Sequence, residues 1–426
     1  MNGPRVVITG LGLATALGLS VEDSWRRALA GESAITALDG PEAAGAPIKA
    51  AGRVAPEDWQ AIRAAFPEEA RQEGERRTLF ALWAAERALA DARFAGGAAR
   101  AGVALGAGLG IIRLEDVAGW LDAAGQYDLG RFAAEPERVH PASQIRNPSD
   151  RPAELIARRH RLGGPNLTVT TACASATQAI GAACRMIRRG EADLMVVGGA
   201  DSMIHPVGLV YFVLLGAAAT SADPPATICR PFDRRRAGLV MGEGAGMVVL
   251  ESESYARGRG ARIYAEVAGY GSSMDGHQVT APHPQGEGAA RAMRAALADA
   301  ALAPADIDYI NAHGTGTRLN DPAEIAAVKA VFGPGAGRVA ISSSKSLIGH
   351  LLAACGGPEL VFTALSVHRD AIHPTANLTQ PDPKCDLDCV PGAARYRPVR
   401  AALSNSFGFG GQNGCLVLRK YDRENG

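Results

Sequence analysis

Three things are scarce in this sequence. Aromatic residues fill only 5% of its 426 positions, 44 Lys+Arg cancel 44 Asp+Glu, and no long apolar run is present. The cancelled charge leaves no net field to draw the chain to nucleic acid or to an anionic membrane. The longest apolar stretch, residues 206–220, falls short of the roughly 18 residues a membrane-spanning helix needs. No cationic, apolar and cleavable leader is visible, because Arg5-Val-Val-Ile-Thr9 reads as a first strand. Cysteine is sparse too. The seven are scattered and odd in number, and Cys385 and Cys389 have no second pair or histidine at zinc spacing. A disulfide framework and a zinc site are therefore not expected, and a reducing, cytoplasmic setting is.

What is plentiful is glycine, at 51 residues, which suits helices lying close on sheets. The length leaves room for one large or two ordinary domains. Residues 5–18 read as a strand followed by a glycine loop. The third glycine of a G-x-G-x-x-G fingerprint falls on Thr15, so a tight turn is expected there and a dinucleotide site is not. Residues 78–92 carry the spacing of an amphipathic helix. Arg71, Arg76 and Arg77 precede it and read as a solvated face, with a dock for an acidic partner as the lesser alternative. Residues 206–220 could form core, line an apolar pocket or meet another subunit.

One stretch gathers the features of a nucleophile site. Residues 167–170 form a β-branched apolar run, read as a short buried strand, and residues 174–189 read as a buried helix stopped at Gly190. Cys173 sits between them among Ala172, Ala174 and Ala176. A cysteine at a strand-to-helix turn meets the unpaired N–H groups and positive dipole end of the helix, and both favour the thiolate. An inert buried cysteine is the competing reading. Residues 193–200 read as the next strand. Strand, helix and strand at this spacing make a right-handed βαβ unit and a largely parallel sheet. Near residues 252–260 the pattern restarts: residues 262–271 echo 5–12, residues 288–301 echo 78–92, and residues 307–312 end in chemistry as 167–170 do. The echo predicts two related α/β halves, residues 1–252 carrying the cysteine and residues 253–426 carrying two histidines.

Three segments of the second half place polar residues after buried strands. The first is Asn311-Ala-His313-Gly-Thr315-Gly-Thr317, followed by Asp321 and Glu324. The second carries Lys345 and His350 on a glycine-hinged turn, with Glu359 nine residues further on. A buried lysine needs a carboxylate partner, and Glu359 and Glu324 are the candidates. The third, residues 404–414, holds Phe407, Phe409, Gly410 and Gly411 in a loop able to expose backbone N–H groups and a movable aromatic, or in a plain hairpin. One cysteine with one histidine would suggest hydrolysis or simple acyl transfer. A second histidine adds donors able to stabilise an enolate oxygen, which brings carbon–carbon bond formation within reach.

Thr171-Ala-Cys173, Asn311-Ala-His313-Gly-Thr-Gly-Thr317, Lys345-Ser-Leu-Ile-Gly-His350 and Asn405-Ser-Phe-Gly-Phe-Gly-Gly411 together resemble the β-ketoacyl-acyl carrier protein synthases, nearest to the type II elongating enzymes. The likeness runs from about Pro4 to Lys420. It implies a thiolase-like α/β fold of two pseudo-duplicated βαβ halves in α-β-α-β-α layers. It implies that Cys173 carries the acyl chain, that the N–H groups of Cys173 and Phe409 form the oxyanion hole, and that Phe409 is the gate. His313 and His350 would hold the malonyl thioester and its enolate. Lys345, Glu359 and Glu324 would set the electrostatics, Thr315 and Thr317 would touch the phosphopantetheine arm, and Phe407, Gly410 and Gly411 would support the loop.

The same resemblance implies acyl carrier protein as partner, no metal and no bound cofactor. The chain would act as a homodimer, or as a heterodimer with a chain-length partner subunit in a type II polyketide or polyene system. Three segments depart from the family pattern: residues 117–145 are longer, the run Asn147-Pro-Ser-Asp-Arg-Pro152 replaces a more apolar one near the subunit interface and acyl pocket, and residues 204–219 carry bulky Tyr211 and Phe212. A silent partner subunit would lack Cys173. A coenzyme A thiolase would carry a second catalytic cysteine where Cys415 reads as strand core.

Overall fold

The computed structural model describes residues 3–40, 45–110, 117–139 and 148–422. Ten strands form one sheet: β1 (Val6–Ala14), β2 (Ala101–Ala107), β3 (Asn166–Val169), β4 (Leu194–Asp201), β5 (Gly244–Ser252), β6 (Ala265–Met274), β7 (Tyr309–Asn311), β8 (Ala340–Ser342), β9 (Ala401–Gly408) and β10 (Gln412–Arg419). Their spatial order is β8-β7-β9-β10-β6-β1-β5-β4-β2-β3. Outward from the centre, β1-β5-β4-β2-β3 and β6-β10-β9-β7-β8 follow the same path. In each half the first two junctions are antiparallel and the last two parallel. The halves meet at a narrow seam, where Val7 faces Glu266 and Ile8 faces Ala265.

A largely parallel sheet is thus corrected to a mixed one. The βαβ rule holds for the outer three strands of each half. It fails nearer the seam, where β9 passes to β10 through the short turn Phe409–Gly411. A turn that short can join only antiparallel strands.

Seven helices matter for the layers: α1 (Arg76–Asp91), α2 (Arg151–His160), α3 (Ser175–Arg188), α4 (Pro206–Leu214), α5 (Glu287–Asp299), α6 (Asn320–Phe332) and α7 (Gly356–Arg369). α1 and α2 cover the outer face of the first half, and α5 with α6 covers that of the second. α3 and α7 lie between, each touching strands of both halves. α7 is buried continuously from Gly356 to Val367, as a helix enclosed between the two halves of the sheet must be. This is the expected α-β-α-β-α order.

The glycine loop expected from Gly10 is strand as far as Ala14, and the tight turn follows at Thr15–Gly18, which exchange backbone hydrogen bonds at 3.1 and 2.9 Å. Gly10 and Gly12 lie inside β1, where a Cβ would stand 2.1 Å from the Ala88 carbonyl oxygen and 2.0 Å from that of Ala84 on α1. The second half repeats the device: on β6, Gly269 and Gly271 would meet the carbonyl oxygens of Ala296 and Ala292 on α5 at 2.3 and 2.2 Å. Helix and strand backbones touch directly at both places, which only glycine permits.

Three further expectations change. Arg77 is not solvated: it is buried and donates to the carbonyls of Gly108 (3.1 Å), Leu109 (3.2 Å) and Pro148 (3.3 Å). Arg76 stacks on Trp59 and pairs with buried Glu243 at 2.8 Å, so two of the three arginines serve packing. β3 is half-buried at the sheet edge, since it has a neighbour strand on one side only. In α4, Val210, Tyr211 and Leu214 are at least half exposed, so this stretch is not simply core. Asn147 and residues 140–146 lie outside the described residues. The described part of the polar segment carries the short helix Leu129–Ala134.

Candidate active site

The nucleophile turn is built locally. After β3 the Thr171 N–H donates to Ser175 Oγ at 2.8 Å, and that hydroxyl donates to the Ala172 carbonyl at 2.6 Å. The tight loop forces Ala172 to φ 49°, a left-handed conformation an alanine adopts at a cost of roughly 1–2 kcal/mol. Cys173 is thereby held at the amino end of α3, almost wholly buried. The helix terminus was expected to favour the thiolate, but burial wins. It pushes the Cys173 thiol up to about 11, against the opposing pull of the Lys345 charge and of a hydrogen bond from the Phe409 N–H. Burial thus favours the thiol over the thiolate at Cys173.

His313 follows β7 on a loop tied down from α6. Its own N–H and that of Gly314 donate to the two oxygens of Glu324 at 2.9 and 2.8 Å, and Asn405 Nδ2 adds a third contact at 3.3 Å. Burial raises Glu324 to about 7, with these donors opposing the rise. Glu324 therefore anchors the histidine loop, and the carboxylate partner of Lys345 is Glu359. Burial works against the Lys345 ammonium, but Cys355 and Glu359 more than offset it, so lysine stays charged. Its Nζ lies 3.3 Å from His313 Nδ1.

His350 follows Gly349, whose φ of 78° makes the reversal. Its Nδ1 accepts the Leu352 N–H at 2.9 Å, and Cys355 Sγ lies 3.1 Å from the same atom. Both imidazoles are held well below the ordinary histidine value, by burial first and then by the Lys345 charge. A ring nitrogen that accepts a hydrogen bond carries no proton. Each neutral imidazole therefore keeps its proton on Nε2. The two rings stand 5.4 Å apart at 89°. Cys173 Sγ and one nitrogen of each ring all lie within 4.8 Å of one another.

The loop read as either an N–H-exposing loop or a hairpin is both. β9 and β10 pair from Ala401↔Arg419 to Gly408↔Gln412, and the tip returns beside the cysteine. A Cβ on Gly408 would stand 3.0 Å from the Cys173 nitrogen. Gly410 and Gly411, both at φ 76°, shape the tip. Asp275 N–H donates to the Gly411 carbonyl at 2.8 Å, and Gly410 N–H to that of Val279 at 2.6 Å. Phe407 packs its ring 5.9 Å from that of His313.

A cavity of about 450 Å³ opens on Cys173, His313, His350 and Phe409 and runs outward past Thr315 and Thr317. Those hydroxyls lie 3.0 Å apart. Leu215 and Leu319 stand farther along the cavity wall, so the apolar stretch after α4 does line a pocket. The sequence-derived set thus converges, except that Glu324 and Lys345 act in separate networks. Cys355 and Asp275 were missed. Cys355 could have been found from its position five residues beyond His350, whereas nothing local marks Asp275.

Residues 4–256 match the β-ketoacyl synthase N-terminal domain and residues 264–379 its C-terminal domain. Proteins named 3-oxoacyl-[acyl-carrier-protein] synthase 2 are similar over nearly the whole length. That of Rhizobium meliloti (strain 1021) is 42% identical, covering 98% of this chain and 99% of its own. That of Staphylococcus aureus (strain COL) is 39% identical with the same coverage. Among solved structures, a β-ketoacyl synthase from Burkholderia phymatum STM815 superposes with TM-score 0.85 at 36% identity, covering 98% of this chain and 100% of its own. A type II polyketide acyl-carrier protein in complex with its ketosynthase bound to the hexaketide gives TM-score 0.88 at 31% identity, covering 99% and 100%. The ishigamide ketosynthase/chain length factor gives 0.83 at 34%, again covering 99% and 100%. With its thiolase-like fold and these relatives, the chain belongs to the β-ketoacyl synthase family and is an acyltransferase of the condensing class.

Proposed function

We propose that this chain is a 3-oxoacyl-[acyl-carrier-protein] synthase that joins an acyl group to a malonyl unit by decarboxylative Claisen condensation in fatty acid biosynthesis. The observation that carries the reading is the convergence of one thiol and two Nε2–H imidazoles within 4.8 Å. In the first step Cys173 Sγ bonds to the acyl thioester carbon, the carbon–sulfur bond to the carrier arm breaks, and the thiol proton passes to the departing sulfur. The N–H groups of Cys173 and Phe409 hold the transient oxyanion. In the second, the malonyl carbon–carboxylate bond breaks, carbon dioxide leaves, and the bond's electron pair moves onto the thioester oxygen as an enolate, held by Nε2–H of His313 and His350. The resulting carbanion attacks the acyl-Cys173 carbonyl. The new carbon–carbon bond forms, Sγ leaves as thiolate, and it takes one proton from solvent.

The other residues serve this centre. Lys345, kept charged by Glu359, fixes the His313 tautomer, and Glu324 holds its loop. Thr315 and Thr317 meet the phosphopantetheine arm. Phe409 swings as the gate on Gly410 and Gly411, with Phe407 packed behind. The chemistry draws on no metal and no bound cofactor. Cysteine and histidine are metal ligands, but a metal-bound imidazole uses one nitrogen's lone pair and donates a hydrogen bond from the other. Here both Nδ1 atoms accept, which leaves protons where a metal would sit.

The repeated strand order supports a division into residues 1–252 and 253–426. Acyl carrier protein is the partner, and the chain acts as a homodimer. Among the described residues no helix is long and apolar enough to cross a membrane, and the cysteines are free and buried, which supports a cytoplasmic setting. The likeness to polyketide ketosynthases favours a second reading, a type II polyketide or polyene ketosynthase paired with a chain-length subunit. Intact-mass analysis tests the first reading. Acyl-carrier protein should add one acyl group at Cys173, and malonyl-carrier protein should then discharge it as a 3-oxoacyl product. A protein that never acquires the group sinks the proposal, and activity only with a copurified cysteine-free homologue selects the second reading.

A further inference from the structure

Asp201 is a buried carboxylate close to the active site that has no role in the steps above. Asp201, the last residue of β4, is 2% exposed and belongs to the half that supplies the nucleophile. Its Oδ1 accepts the Ser202 N–H at 2.9 Å, and its Oδ2 accepts the Ala353 N–H at 3.1 Å. The second bond crosses between the halves and ends on the turn after His350. That turn is strained: Leu352 has φ 53°, a conformation a bulky L-residue keeps only when its surroundings over-determine it. The Leu352 N–H is the donor that fixes His350 Nδ1 as an acceptor, and the same turn leads to Cys355, whose Sγ approaches that atom. Asp201 therefore grips the residue next to the strained donor. Space for the carboxylate is reserved at the end of β2, where a Cβ on Gly108 would stand 2.6 Å from Oδ2.

We propose that Asp201 is a positioning residue for His350: it pins the strained turn so that the Leu352 N–H keeps the imidazole in its Nε2–H form, aimed at the incoming thioester oxygen. This inference rests on the condensing reading above. A carboxylate suits the task because both of its oxygens accept. An asparagine offers one acceptor and turns an N–H₂ group toward either Ser202 or Ala353. The charged groups facing Asp201 are Arg77 and Glu75, from α1 and the residue preceding it, and Cys173 beyond the nucleophile turn feels its field. Burial raises Asp201 to about 6, with Arg77 and the two N–H groups opposing, so the carboxylate is ionised at neutral pH and protonated in mild acid.

The test compares wild type, Asp201→Asn and Gly108→Ala as full-length protein, with acyl- and malonyl-loaded carrier protein, from about pH 5 to about pH 8. Acyl adduct at Cys173 is read by intact mass, and kcat and KM for malonyl-carrier protein by product formation. Both variants should form the adduct as wild type does, while kcat falls about tenfold or more with KM little changed. The wild-type to Asp201→Asn ratio should shrink toward one below about pH 6, where wild type is itself protonated. Gly108→Ala displaces the carboxylate without removing it and serves if Asp201→Asn does not fold. Wild-type kcat in the variants overturns the inference, as does a deficit that is equal at every pH or falls on adduct formation. Failure of wild type to form the adduct sinks the condensing reading instead.

Discussion

The two halves of this molecule share a strand path and even a pair of helix-facing glycines, yet they carry different chemistry. The difference lies in the connection that leaves the third strand of each. After β3, a short turn leads straight into α3, and the side chain at its tip, Cys173, is pressed against the helix end. After β8, residues 343–355 intervene before α7 begins, and this longer path carries Lys345 and His350. A short turn presents one atom under the influence of a helix terminus. A long one can carry a charge and an imidazole and still fix the ring's tautomer from its own backbone. Both turns face one cavity: the short one presents Cys173 and the long one His350, while His313 comes from the loop after β7.

The comparison breaks most visibly at the cysteine. Cys173→Ala should abolish the acyl adduct and lower condensation by about 10⁴-fold or more, read by intact mass and product formation. Removing the second half's contribution should look different. His313→Ala and His350→Ala should keep the adduct and lose about 10²- to 10³-fold in condensation, the range seen when an oxyanion donor is deleted. Loss of adduct in the histidine variants would mean that the halves do not divide the labour this way.

Smaller effects probe the shared scaffold. Gly12→Ala and Gly271→Ala each drive a Cβ into a helix carbonyl, at 2.0 and 2.2 Å. Each should lower stability by about 1–3 kcal/mol in denaturant melts, and by similar amounts if the halves are packed alike. A large disparity would show that one contact has relaxed. Glu324 adds a pH signature from the second half. The unfolded carboxyl releases its proton near 4.5 and the folded one near about 7, so the folded state binds more protons between those values. Stability from this group is greatest below the lower value and falls as pH rises to the upper one, by up to about 3 kcal/mol. Glu324→Gln should flatten that slope in melts taken across the window.

How legible all this was depends on distance along the chain. Cys173 could be read because strand, small residues and helix are contiguous, and His313 and His350 because each sits in a compact motif after a strand. The restarting pattern pointed to two related halves, and their layering followed from the family resemblance. Gly10 and Gly12 were misread because local propensity makes such glycines a turn, while their actual partners lie on a helix more than seventy residues away. Arg77 looked solvated for the same reason, since its acceptors are carbonyls at Gly108, Leu109 and Pro148. The thiolate expectation failed through magnitude: the Lys345 charge and the Phe409 N–H favour the thiolate, but burial of the sulfur outweighs them. Asp201 was invisible because its significance lies in one hydrogen bond across the two halves.

The central claim is that the second half offers two neutral imidazoles, both protonated on Nε2, to the substrate held by the first. Nitrogen-15 NMR of histidine-labelled protein at neutral pH, assigned with the His313→Ala and His350→Ala variants, measures this directly. The account predicts for both rings an Nδ1 shift typical of an unprotonated acceptor and an Nε2 bearing the proton. An imidazolium at either position, or a ring protonated on Nδ1, would contradict it.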